Sequence, residues 1–169
     1  MRYRAKNEDR ETASLREDLE PVLQGLGFVP VELNLFHAGK RGAVQVRLVL
    51  TKPGTAGSFG TGELAGAHRA ILPRLEAAFP DGDLHVELSS PGTDRLVKEG
   101  AEFRHYVDRR IRIYRTDTAQ WQRGILRFSD TEKILLETED GVSSSQQERI
   151  ELPYELIAKA RLDDSIENA

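Results

Sequence analysis

The strongest constraint on how this chain folds is a change of apolar period at Ser89-Ser90-Pro91-Gly92. Before that step, apolar residues recur at helical and at alternating spacing in turn. After it, short alternating runs separated by close turns take over. No apolar period crosses the serine-proline step, so the chain reads as two domains, 1–91 and 92–169. Domains this small each bury only about 60% of their unfolded surface, which makes each half modestly stable by itself.

In the first half, Leu15, Leu19, Val22, Leu23 and Leu26 share one face of a predicted helix over 14–26, and Ser14 with Glu17 has capping-box spacing. Pro21 lies inside that pattern and removes a backbone donor, which predicts a kink or a later start, while Gly25 and Gly27 mark the end. Val29, Val31, Leu33 and Leu35 alternate, as do Val44, Val46, Leu48 and Leu50, and this is the signature of a hairpin with one buried face. Four glycines and a proline in 52–62 predict a mobile loop. Leu64, His68, Ile71, Leu72, Leu75 and Phe79 return to helical spacing despite Pro73, and Leu84, Val86 and Leu88 predict a third strand. The resulting fold class is α+β, with a three-stranded sheet carrying two helices on one face.

The second half predicts strands at 111–114, 121–128, 134–138, 149–152 and 157–162, with a turn at Asp140-Gly141 and a loose polar loop over 143–147. So many short strands in so short a stretch imply a small closed barrel, because closure removes exposed edges.

Composition narrows the chemistry. Apolar residues make up 38% and charged residues 31% of the chain, the balance of a folded protein. Its apolar runs are far shorter than the roughly 20 residues that span a bilayer. The charged N-terminus lacks the apolar core of a secretory signal, so the expected compartment is the cytoplasm. Without cysteine there is no disulfide, no thiolate nucleophile and no thiolate zinc site. Net charge is −4, yet residues 95–127 carry nine basic side chains against four acidic ones. A basic segment inside an acidic chain suits a polyanionic partner, although a solvated strand face has the same composition.

Pro91-Gly92 fits the central positions of a type II turn, with glycine accepting a positive φ. Ser89, Ser90 and Asp94 are able to close such a turn through local hydrogen bonds, and the same turn would present Arg95 and Lys98. A hydrolase built from Ser89 or Ser90 with His85 or His105 and Asp94 lacks the nucleophile-elbow pattern. His37, His68, His85 and His105 have no ligand spacing, and His68 reads as a core-edge residue of the second helix. The glycines of 54–62 lack the lysine and hydroxyl of a phosphate loop. Tyr114, Trp121 and Phe128 are able to serve as stacking platforms for single-stranded RNA, but barrel core or rim is the commoner role.

Three segments carry a family resemblance. Leu88-Ser89-Ser90-Pro91-Gly92-Thr93-Asp94-Arg95 resembles the interdomain signature of the ribosome maturation factor RimP family. Glu102-Phe103-Arg104 resembles the acidic-Phe-Arg triplet that follows it, and residues 152–162, from Leu152-Pro153-Tyr154 to Ala160-Arg161-Leu162, resemble the family's closing segment. The chain departs from the pattern at Leu96, where proline is usual, and at Asp108, where glycine is usual. The resemblance implies an N-terminal α/β domain and a C-terminal SH3-like (Sm-like) barrel. It further implies a non-enzymatic, cofactor-free monomer of the cytoplasm that binds the free, immature 30S subunit, through ribosomal RNA and a small-subunit ribosomal protein, near the future decoding region. The implied interdomain turn and 30S-binding residues are Ser89, Ser90, Pro91, Gly92, Asp94, Arg95, Lys98, Arg104, Arg109 and Arg110. A rival reading is a stand-alone RNA-binding regulator whose Sm-like barrels form rings, and it predicts a homo-oligomer.

Overall fold

A computed structural model describes residues 1–2, 9–38, 42–53, 59–138 and 148–163. They divide into two compact units, one holding residues 9–38, 42–53 and 59–91 and the other residues 92–138 and 148–163 together with residues 1–2, which the domain bounds expected from the sequence put in the first half. Much of the glycine-rich stretch, the Asp140-Gly141 turn and the polar tract lie outside the described residues.

The first unit runs α1 (Arg10–Gly25), β1 (Val29–Ala38), β2 (Ala43–Thr51), α2 (Thr61–Ala78) and β3 (Leu84–Ser89). Helix α1 starts earlier than the Ser14 signal suggests, because Asp9 is the cap: its carboxylate accepts from the Thr12 N–H at 2.9 Å and from the Thr12 hydroxyl at 2.8 Å. The helix continues through Pro21, as α2 does through Pro73. At the end of α1, Gly27 adopts φ +78°. There the Phe28 N–H reaches the Leu23 carbonyl and the Gly27 N–H reaches the Gln24 carbonyl, each at 2.9 Å, which closes a Schellman motif. At the start of α2 the Glu63 carboxylate accepts from the Gly60 N–H at 3.0 Å. Strands β1 and β2 form the expected antiparallel hairpin, and β3 adds parallel to β2. Leu15, Leu19 and Leu23 of α1 and Ala67, Ile71 and Leu75 of α2 bury against Leu33, Val44, Val46, Leu48 and Leu50, so both helices cover one face of the sheet.

The second unit holds β4 (Leu96–Val97), a 3₁₀ helix over Gly100–Tyr106, β5 (Arg110–Arg115), β6 (Trp121–Ser129), β7 (Lys133–Thr138), β8 (Arg149–Pro153) and β9 (Ile157–Leu162). The order is β4-β9-β5-β6-β7-β8, antiparallel throughout. Among the described residues no pairing joins β4 to β8, so the closed barrel expected from the strand spacing is instead an open six-stranded sheet. The two-residue β4 offers too few backbone groups to close it. The inner face is nevertheless a full core, with Phe103, Tyr106, Ile111, Ile113, Leu126, Ile134, Leu136, Ile157 and Leu162 all buried. At Gly124 the sheet is so close that a Cβ would collide with the Glu137 carbonyl of β7. Asp108 sits at φ +65°, the conformation that favours glycine. Two bonds hold it there: its N–H donates to the Leu126 carbonyl at 2.7 Å, and its carboxylate accepts from Arg127 Nη1 at 2.9 Å.

Candidate nucleic-acid interface

From Gly92 onward, the residues that carry the family resemblance meet in space within the second unit. The Arg95 N–H bonds the Gly92 carbonyl at 3.1 Å, so Thr93 and Asp94 occupy the centre of the turn and Gly92 its first position. This corrects the type II turn: Gly92 has no positive φ, a conformation found among the described glycines at Gly27 and Gly42. The turn delivers the Asp94 carboxylate to two strands at once. Its Oδ1 accepts from Arg112 Nη2 of β5 at 2.5 Å and its Oδ2 from Arg161 Nη1 of β9 at 2.9 Å. The Arg112 hydrogen bond and both positive charges hold the Asp94 carboxyl below the usual aspartate range. Alongside, the Leu162 N–H donates to the Arg95 carbonyl at 2.9 Å, and Arg95 pairs with Glu102 at 3.5 Å. Phe103 packs on Tyr154 with ring centroids 5.8 Å apart. Residues of all three segments therefore form one clasp, and burial at its base pushes the Tyr106 hydroxyl up to about 12.

That clasp sorts the sequence-predicted site residues. Ser89 ends β3 and pairs with Val49, Ser90 is exposed, and Pro91 is buried. Asp94 and Arg95 are clasp members. Lys98 and Arg104 are exposed and Arg110 is half-buried. Arg109 is only 4% exposed, with its guanidinium 5.5 Å from the centre of the Tyr106 ring, so it packs against the core. The positive φ of Asp108 turns the chain inward just before it. The suggested hydrolase constellation is not assembled around Asp94, whose carboxylate is occupied by two arginines, and His105 contacts Arg104 at 3.3 Å. Among the described residues, no three His, Asp or Glu side chains group as metal ligands.

The register shows a surface that linear order hides. Arg112 of β5 lies directly between Arg161 of β9 and Arg123 of β6, and Tyr114 lies between Lys159 and Trp121. Directly paired residues share a face, so these six side chains make two rows of three on the side opposite Ile111 and Ile113. Arg112 stands 5.4 Å from the Trp121 ring centre, and Tyr114 meets Trp121 edge-on, also at 5.4 Å. Trp121 remains 44% exposed and Phe128 49% exposed, so neither is the core residue that aromatics in such strands more often are.

The fold and this surface define a class: an α+β chain of two units, the second presenting an ordered cationic and aromatic sheet face suited to a polyanion. No family model matches the chain. It is 26% identical to the ribosome maturation factor RimP of Borrelia hermsii (strain HS1 / DAH), over 85% of this chain and 90% of that protein. It is 23% identical to the ribosome maturation factor RimP of Borrelia recurrentis (strain A1), over 90% of this chain and 96% of that protein. The chain is thus similar to two proteins named ribosome maturation factor RimP along most of its length. Among the described residues, no helix is long and apolar enough to cross a membrane.

Proposed function

We propose that this chain is a ribosome maturation factor that binds the free, immature 30S subunit in the cytoplasm as a monomer and promotes its maturation without catalysing a reaction. The observation that carries this reading is the near full-length similarity to two proteins named as ribosome maturation factors. The convergence of the three resembling segments on one clasp supports it, since those residues have a shared structural task to perform. In this reading the open six-stranded unit is a variant of the SH3-like (Sm-like) barrel, and ribosomal RNA with a small-subunit ribosomal protein forms the partner surface. Such a factor acts by differential affinity: it binds one conformation of the immature subunit better than its competitors and so raises that conformation's population.

Gradient sedimentation tests the proposal. The chain should co-migrate with free small subunits and be absent from full ribosomes; migration as a free ring-sized oligomer would replace this reading with the ring-forming regulator. Within the bound fraction, Lys98→Ala, Arg104→Ala or Arg110→Ala should each lower the slope of log affinity against log salt by about 1 if that side chain meets a phosphate. An unchanged slope in all three would reduce them to a solvated face.

A further inference from the structure

We infer that the outer face of β9, β5 and β6 is a stacking platform for unpaired RNA bases, with Trp121 as the base-contacting ring and Lys159, Arg161 and Arg123 as backbone contacts. This deepens the proposed function and rests on it for the source of the RNA. Three observations carry the inference. First, the two rows, Lys159-Tyr114-Trp121 and Arg161-Arg112-Arg123, set a ring beside a cation on β5 and on β6 and two cations on β9, with about 4.8 Å from one column to the next. A single strand laid across them meets a positive charge at each of the three columns and a ring at the two formed by β5 and β6.

Second, an indole that is 44% exposed stands at the corner of a charged face, where burial does not explain it. Its neighbours hold it rather than cover it: the Arg112 guanidinium lies over the ring and Tyr114 abuts it edge-on. Third, the platform is ordered before any partner arrives. Asp94 fixes both Arg112 and Arg161, and Asp163 pairs with Arg123 at 3.4 Å, so little side-chain freedom is left to lose on binding. The four cations of the face outnumber those two carboxylates, which leaves a surplus of positive charge for phosphate.

Geometry selects the kind of RNA. A sheet face is too broad for the deep, narrow major groove of an A-form duplex, and aromatic stacking requires bases already splayed from their partners. A basic ribosomal-protein segment is disfavoured by like charge. Loops and ends of immature ribosomal RNA offer the matching chemistry.

The chain has one tryptophan, so its intrinsic emission reports on the platform directly. Full-length protein would be titrated with oligoadenylate, and then with the same strand paired to oligouridylate. The single strand should quench Trp121 emission and the duplex should not. Trp121→Ala should weaken single-strand binding about tenfold or more, while Trp121→Phe, which keeps a ring, should lose only a small part of that. Single strand and duplex binding equally well with unchanged emission would overturn the inference, as would unaltered binding by Trp121→Ala. Sedimentation of the same proteins separates the two readings. Co-migration with small subunits without any quenching by the oligomer sinks the platform and leaves the maturation role. Quenching without co-migration does the opposite. If Trp121→Ala loses the subunit while wild type ignores the oligomer, the face meets protein and the inference is wrong.

Discussion

Both units expose one sheet face built on the same plan, and the two faces differ in what they do with charge. In the first unit the outward rows read Asn34-Arg47-Glu87 and Phe36-Gln45-His85 across β1, β2 and β3. Arg47 and Glu87 are adjacent partners at 3.0 Å, so the row neutralises itself on the sheet and leaves nothing for a polyanion. In the second unit no carboxylate stands within either row of three. The acids that restrain the arginines reach in from outside, Asp94 from a turn and Asp163 from the chain just past β9. The lesson is that a carboxylate placed within the row cancels a cation, whereas one placed beside the row aims it.

Substitution at Gly124 strikes one unit most severely, because any side chain there drives into the backbone of β7. Gly124→Ala should cost the second unit about 3 kcal/mol and disorganise the strand that carries Trp121 and Arg123. If the units fold separately, amide signals of the first unit should persist in that variant while Trp121 emission shifts. Collapse of both sets of signals would mean that the faces belong to one cooperative body.

A gentler test removes the aiming acid. The Asp94 carboxyl is held below its ordinary value of 3.8, a depressed folded-state acidity. Its stabilising contribution is therefore fully present above that value and is lost as pH falls through the lower folded one. Melting temperatures of wild type and Asp94→Asn should differ by a constant amount near neutrality and converge below about pH 4. Divergence at low pH instead would show that the clasp draws its stability from elsewhere. The smallest effect is expected at Gly92. With no positive φ and open space where a Cβ would stand, Gly92→Ala should change stability by less than about 0.5 kcal/mol and leave subunit binding intact. A larger loss would show that the position matters in a way the turn geometry does not express.

Much of the architecture was legible because it is written in local periods. The stripes of both helices, the hairpin and five short strands of the second unit all appear near their expected places, since each depends on spacing along the chain. What escaped depends on other things. The first turn of α1 has no large apolar residue before Leu15, so periodicity was silent there and a second plausible cap at Ser14 took its place. Strand β4 has two residues, too few for any period. The basic segment was visible as composition, yet only register shows that Arg112 and Arg123 line one face, and only backbone direction shows that Arg109 is buried. Tyr114 and Trp121 are seven positions apart in the chain, and their pairing became visible once the turn between them was known.

Asp108 carries a consequence for how this sequence is able to change. A left-handed backbone costs a non-glycine residue about 1 kcal/mol or more, and here the same side chain ties down Arg127, which in turn grips Glu137 with two bonds of 3.1 Å. The two positions are therefore epistatic. With aspartate at 108, replacing Arg127 removes one of the two bonds that hold an already strained backbone. With glycine there, the backbone is relaxed and Arg127 keeps Glu137 alone. A lineage passing between the two states meets less resistance if it changes residue 108 first, so the order of substitutions, and not only their identity, is constrained by a single torsion angle.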